Sequence, residues 1–310
     1  MNRTIRIGTR GSKLALWQAH WVAERLRAAH ADISVSIEII KTVGDRVQDR
    51  PVEQIGVEGA FTRELDQALI DGRVEVAVHS LKDLPTTPAD GIELAAIPER
   101  EDPRDVFIGK AARCIGDLPQ GAVVGISSLR RRAQLLALRP DVKTAELRGN
   151  VDTRLRKLRD SSTLGGIMLA LAGVRRLGLE NAVTEVLELD RWLPAPGQGA
   201  LAVTVRIDDA DAQRLVSELD DAGTRAAVTA ERALLARLEG GCHVPVGAYA
   251  RLDDGILVLD GLIAALDGSR VVRSSVRGTP ARGRHLGEEL AEVLLSEGGA
   301  ELLATFEARR

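Results

Sequence analysis

The chain has 310 residues, 45% of them apolar and 28% charged, with a formal net charge of −3, the profile of an ordinary globular protein with room for two or three domains. That charge balance and an aromatic content of only 2% argue against nucleic acid as a partner, which asks for a basic excess and stacking rings. Cys114 and Cys242 are the two cysteines, too few for a disulfide framework or a zinc pattern, and with no membrane-length apolar run and no signal-peptide core in MNRTIRIGTRGS the reading is a cytoplasmic protein without a metal or a membrane.

In chain order, Thr4 to Gly8 reads as a strand and a helix follows from Ser12, with Leu14, Trp17, Trp21, Val22 and Leu26 along one stripe. Residues 33–40 alternate as a strand, Phe61 to Ile70 reads as a helix burying Phe61, Leu65 and Leu69, and strands follow at 74–78 and 92–97. Alternation of this kind predicts α/β architecture with a largely parallel sheet. The charged, proline-bracketed PEREDPRD (98–105) then interrupts it. Strands at 122–126, 142–147 and 166–170 alternate next with helices at 129–138, 151–159 and 173–178. A second break, LPAPGQGA (193–200), precedes a strand at 201–205. Two such crossings suit either two α/β lobes joined by a double hinge or two ordinary surface loops. From about 220 the order changes to a helix (223–238), strands at 245–251, 256–265 and 270–276, and a helix at 284–296, a small α+β domain. The expected division is therefore residues 1–98 with 200–219, residues 99–199, and residues 220–310. No heptad or apolar stripe asks for a partner, so the chain reads as a monomer.

Three junctions carry a chemical signal: IRIGTRGS (5–12), VVGISSLRRR (123–132) and AELRGNVDTRL (145–155). Each runs from a strand through a Gly, Ser or Asn turn bearing arginine into a helix. Free backbone N–H groups and the positive helix end meet a guanidinium there, a donor set for carboxylate or phosphate. Three in one chain point to a ligand with many negative charges. Arg130, Arg131 and Arg132 are consecutive, so they are expected to fan around the helix, with at least one at the surface. Arg148 and Arg154 could face one cleft, and Arg175 or Arg176 could reach it; any one of them alone reads as solvated or salt-bridged.

HSLKDLP (79–85) follows a buried strand, at the end where α/β sheets place ligands. A carboxylate there, Asp83 beside Lys82, could move protons or stabilise a cation. Taken alone, Asp83 reads as the cap of the turn before Pro85, and His79 as a buried strand-end residue. Cys242 stands after two glycines in EGGCHVPVG (239–247), where a thiol could be a nucleophile or an attachment point. By itself it reads as a small buried filler, and Cys114 as structural. IGVEGAF (55–61), with the polar stretch before it, suits a lid and matches no nucleotide-binding loop.

Together these segments resemble the porphobilinogen deaminase (hydroxymethylbilane synthase) family. The matching pieces are GTRGSKLALWQAH (8–20), AVHSLKDLP (77–85), EREDPRD (99–105), GISSLRRRAQL (125–135), LRGNVDTRL (147–155), LALAGVRRLGL (169–179), LPAPGQGAL (193–201) and ERALLARLEGGCHVPVGAYA (231–250). They are collinear and cover nearly the whole chain. The resemblance implies two lobes like those of periplasmic solute-binding proteins and a third domain carrying a covalent cofactor. It implies head-to-tail joining of four porphobilinogen molecules, with loss of ammonia each time. The implied cofactor is dipyrromethane, held by a thioether at Cys242. The family's catalytic aspartate falls on Asp83. Its cofactor contacts fall on Lys82, Asp83, Ser128, Arg130 and Arg131, and its substrate contacts on Arg10, Ser12, Arg148, Arg154 and Arg176. Each pyrrole bears an acetate and a propionate, so the growing chain is a polyanion, which suits the arginines. The sequence departs from the family at Val57-Glu58-Gly59, where many members carry a lysine, and around LGGIML (164–169), where a Tyr-Asp pair is common. Two other readings remain at this point: a binding protein for organic anions, and a nucleic-acid binder using Arg130 to Arg132.

Overall fold

The computed structural model describes residues 3–46, 62–238 and 245–307. The expected lid (55–61) with Glu58, Phe61, and the turn holding Cys242 and His243 lie outside the described residues. In chain order the elements begin with β1 (Arg3–Thr9), α1 (Lys13–Ala29), β2 (Ile33–Ile39), α2 (Arg63–Ile70), β3 (Val76–Ser80) and β4 (Ile92–Ala96). Next come β5 (Asp105–Gly109), β6 (Val123–Gly125), α3 (Leu129–Leu138), β7 (Lys143–Ala145), α4 (Val151–Asp160), β8 (Leu164–Ala170), α5 (Leu171–Arg176) and β9 (Glu185–Val186). The rest is β10 (Leu201–Arg206), α6 (Ala210–Ser217), α7 (Ala222–Arg237), β11 (Val246–Asp253), β12 (Ile256–Ala264), β13 (Val271–Gly278), α8 (Gly283–Leu294) and α9 (Ala300–Glu307).

The chain forms two compact units, residues 1–101 with 199–225 and residues 102–198 with 226–310. The first holds a five-stranded sheet of order β2-β1-β3-β10-β4, the second a five-stranded sheet of order β7-β6-β8-β5-β9. In the first sheet β1 is parallel to β2 and β3, while β10 runs antiparallel to β3 and β4. In the second, β6 is parallel to β7 and β8, while β5 runs antiparallel to β8 and β9. Sequence alternation suggests more parallel pairing than this. The reason is that β5 and β10 enter directly from the segments linking the units. A parallel neighbour needs a crossover connection, and a strand arriving from elsewhere does not.

Ser12 caps α1, its hydroxyl accepting the Ala15 N–H at 3.2 Å. The buried face of α1 is Ala15, Ala19, Val22, Ala23 and Leu26, spaced as one helical stripe. Trp17, expected on that stripe, is 36% exposed. Alanines let the helix sit close on β1 and β3, and a Trp would hold it off. Trp21 is half-buried and stacks beneath the Arg25 guanidinium at 4.5 Å. In α2 the buried residues include Leu65 and Leu69, as expected, with Ala68.

Of the elements named above, β5, β9, α6 and α9 were not expected, nor was the short helix Val43–Arg46 in the polar stretch read as part of a lid. β5 begins at the last residue of the charged break, and a strand opening on an acid reads as loop. In the second unit the antiparallel β11-β12-β13 sheet closes a core of its own with α7 and α8, through Leu234, Leu257, Leu259, Ile263, Leu286 and Leu290.

Gly199 precedes β10 with φ +91°, and a Cβ there would overlap the carbonyl oxygen of Glu101. Both the backbone conformation and the space exclude a side chain. Gly199→Ala is expected to destabilise the protein by about 1–3 kcal/mol, read as a fall of several degrees in Tm by calorimetry. An unchanged Tm would contradict this packing.

Candidate active site

Ligands of open α/β sheets collect at the carboxyl ends of the parallel strands. In the first unit β1 and β3 are neighbours, Ile7 opposite Val76 and Gly8 opposite Ala77, so the turns after them share one edge. After β1 come Arg10 and Ser12. The buried Thr9 hydroxyl donates to the Ala15 carbonyl at 3.1 Å and fixes the turn. After β3 comes a 3-10 turn, Leu81–Asp83. Its anchor is Leu81, fully buried, whose N–H donates to the Ala200 carbonyl at 3.0 Å. Gln18 on α1 donates to the Ser80 hydroxyl at 2.8 Å, tying helix to strand end. Lys82 and Asp83 are thus half-buried on a turn whose backbone is held at its first residue. The first unit brings Arg10, Ser12, Lys82 and Asp83 to one edge.

His79 is 6% exposed and lies 3.3 Å from the Thr204 hydroxyl. Burial, with the Arg10 charge adding to it, pushes its pKa down to about 4. The ring is therefore neutral at neutral pH and serves as packing, as the sequence suggests. Asp66 on α2 moves the other way, pushed up to about 6 by burial against a hydrogen bond from Thr62.

In the second unit β7, β6 and β8 are adjacent and parallel, and each is followed by a residue group singled out above. After β6, Ser128 caps α3, its hydroxyl accepting the Arg131 N–H at 3.4 Å. After β7, Gly149 turns with φ +118°, where a Cβ would stand 2.7 Å from Thr153 Cγ2. Arg154 Nε donates to the Gly149 carbonyl at 2.7 Å and Lys157 to the Arg148 carbonyl at 2.9 Å. Arg148 Nε stands 3.9 Å from Glu146, and its buried Nη1 has no hydrogen-bond partner. After β8, Arg175 pairs with Asp102 at 3.4 Å, while Arg176 is 9% exposed. Ser128, Arg130, Arg131, Arg148, Arg154 and Arg176 so gather on one sheet edge. A recess of about 120 Å³ opens beside the start of α3, lined by Ser127, Ser128, Arg132 and Glu146 among others. A second hollow, about 440 Å³ between α7 and α8, is lined by Arg237 and Glu292, which pair at 2.6 Å.

Arg130 and Arg131 behave differently from a simple fan. Arg132 is exposed, but both others are buried, and they converge on one carboxylate, that of Asp105. Arg131 donates to Asp105 Oδ1 through Nε (3.1 Å) and Nη2 (2.7 Å), and Arg130 to Oδ2 through Nη1 (2.7 Å). Burial alone would raise the Asp105 pKa; the two guanidinium charges and their hydrogen bonds overcome it and hold it far below the carboxylate range. Arg130 shifts down, first by burial and then by the like charge of Arg131, against the pull of Asp105. Sequence reasoning missed Asp105. Its available signal was an acid opening the apolar run DVFIG, since an acid in a sheet centre needs cationic partners.

These strand ends define an α/β protein equipped with guanidinium and helix-end donors for carboxylates, with one carboxylate of its own beside a lysine. Residues 5–214 match the family model described as porphobilinogen deaminase, dipyromethane cofactor binding domain, and residues 225–296 the one described as porphobilinogen deaminase, C-terminal domain. A porphobilinogen deaminase of Roseiflexus castenholzii is 51% identical over 304 residues, 98% of this chain and 100% of its own length. That of Desulforudis audaxviator is 49% identical over 308 residues, 99% of each chain. Among solved structures, a YaeC-family lipoprotein of Enterococcus faecalis has a TM-score of 0.42 at 14% identity, covering 70% of this chain and 91% of its own. The chain belongs to the porphobilinogen deaminase family.

The neutral state of buried His79 has a consequence for stability. In the unfolded chain a histidine protonates below about 6.5; in the fold, only near 4. Between those values the unfolded state binds the extra proton, so His79's contribution is complete above pH 6.5 and lost as pH falls toward 4. Asp66 opposes it over part of this range, so the His79→Leu difference isolates the effect. Wild type should lose about 3 kcal/mol relative to His79→Leu between pH 7 and pH 4, measured by urea unfolding. Parallel pH curves would contradict the assignment.

Proposed function

We propose that the chain joins four porphobilinogen molecules head to tail, releasing ammonia at each addition, to give hydroxymethylbilane. It is a transferase that uses a dipyrromethane cofactor, attached through a thioether to Cys242. The observation that carries the reading is the gathering of Arg130, Arg131, Arg148 and Arg176 at the carboxyl ends of three adjacent parallel strands. A pyrrole chain bearing an acetate and a propionate on every ring is the kind of ligand such a donor set suits. Two buried guanidinium N–H groups without a partner, Arg130 Nε and Arg148 Nη1, fit a carboxylate-rich group. The match of residues 5–214 to a dipyromethane cofactor binding domain supports the same group.

In this reading Lys82, Asp83, Ser128, Arg130 and Arg131 hold the cofactor, and Arg10, Ser12, Arg148, Arg154 and Arg176 the acid side chains of incoming and bound pyrroles. When bound, dipyrromethane supplies the free pyrrole carbon to which the first substrate joins. Ammonia leaves the aminomethyl group of the substrate, and Asp83 stabilises the positive charge that develops there. Asp83 then accepts the proton lost from the ring carbon that has formed the new bond. The division into residues 1–98 with 200–219, 99–199 and 220–310 belongs to this reading, as does a cytoplasmic monomer that acts on a small molecule and on neither nucleic acid nor membrane. No described helix is long and apolar enough to cross a membrane.

Asp83→Asn is expected to keep its cofactor mass and lose turnover of porphobilinogen by at least about 100-fold. Near-normal turnover would overthrow the catalytic assignment. Arg148→Leu and Arg154→Leu are expected to stall elongation, seen by intact mass as enzyme carrying fewer added pyrroles than wild type under single-turnover conditions. Unimpaired elongation in both would mean that the polyanion is held elsewhere.

A further inference from the structure

The carboxylate of Asp105 is fully buried, with Arg130 4% and Arg131 6% exposed around it. It accepts five hydrogen bonds. Oδ1 takes Arg131 Nε and Nη2 at 3.1 and 2.7 Å and Gln198 Nε2 at 2.8 Å. Oδ2 takes Arg130 Nη1 at 2.7 Å and the Trp192 indole N–H at 2.8 Å. A carboxylate has about four lone-pair sites, so Asp105 is saturated. The rest of each guanidinium is partly fixed by backbone: Arg131 Nη1 donates to the Met168 carbonyl at 3.2 Å and Arg130 Nη1 to the Leu193 carbonyl at 2.7 Å. Arg130 Nε remains buried without a partner. Two cations and one anion leave the cluster with one positive charge uncompensated. A buried excess charge is tolerated where a second anion arrives to meet it.

We propose that Asp105 is a positioning residue for the cofactor: it locks Arg130 and Arg131 in place and neutralises only one of their charges, so that the other stays available to an acid side chain of dipyrromethane. This inference rests on the function proposed above. The downward shift of Arg130, caused by burial and by Arg131, agrees with a cluster short of one negative charge. Asp105 itself touches no ligand in this scheme and acts through the two arginines. Trp192 and Gln198, both from the return segment of the same unit, hold the carboxylate in the orientation that divides it between them.

The test uses the full chain in a Cys242→Ser background, so that binding is not tied to the thioether. The probe is synthetic dipyrromethane bearing two acetates and two propionates, titrated by calorimetry, with Tm recorded for the unliganded proteins. Asp105→Asn is expected to raise Kd by at least about tenfold, the scale of one charge-assisted contact. Asp105→Glu, which returns the charge, should bind the probe more tightly than Asp105→Asn does, even where its Tm is lower. A packing role predicts the reverse order, because asparagine is the isostere. Should Asp105→Asn fail to fold, Trp192→Phe keeps all three charges and removes one donor to Oδ2; its Kd should rise several-fold at a Tm within a few degrees of the parent. An unchanged Kd in the folded variants, or asparagine binding better than glutamate, would overturn the proposal. If the Cys242→Ser parent itself does not bind the probe, and wild type carries no two-pyrrole mass, it is the underlying functional reading that falls.

Discussion

One buried carboxylate organises the second unit. Removing an aspartate and two arginines from water is expensive unless each charge finds a partner and each donor an acceptor. Asp105 meets part of that demand at the first residue of β5: the donors it gathers come from α3 and from the segment before β10, while one of the two positive charges and Arg130 Nε stay unmet. Breaking such a cluster by deleting one member typically costs about 3–5 kcal/mol. Its larger consequence is geometric. Two consecutive arginines, which helix geometry would spread around α3, are drawn to one point beside the Ser128 cap. The site depends on a residue that is not expected to touch a ligand.

The same economy recurs in the first unit with different parts. There the strand-end turn bearing Lys82 and Asp83 is fixed by the buried Leu81 and its bond to Ala200. Arg10 sits close enough to depress the pKa of His79. Both five-stranded sheets have three parallel neighbours and one strand arriving antiparallel from a linking segment. In each, that arriving strand supports a turn or helix that bears candidate site residues: β10 follows Ala200, which accepts from Leu81, and β5 opens on Asp105. The linking segments, which a sequence reader takes for loops, therefore carry the supports of the proposed site.

Much of this was legible in the chain. Apolar alternation located most strands, and Ser12 and Ser128 marked helix starts because a hydroxyl before a helix satisfies its free N–H groups. The arginine-bearing turns were visible as motifs. What the sequence hid has physical reasons. Trp17 looked like core because it is large, yet the close contact of α1 with its sheet selects alanines. β5 was lost because its opening acid is neutral in effect only once Arg130 and Arg131 fold onto it, a pairing across 25 and 26 residues. The burial of those two arginines was hidden for the same reason. Antiparallel entry of β10 depends on connectivity between units, which no local pattern records.

The central claim is that these strand ends serve a pyrrole chain grown on a tether at Cys242. Its most direct test is the intact mass of the protein as purified, beside Cys242→Ser. A mass excess of two linked pyrroles in wild type, absent from the variant, is the predicted result. A bare polypeptide mass in wild type that stays unchanged after incubation with porphobilinogen would contradict it.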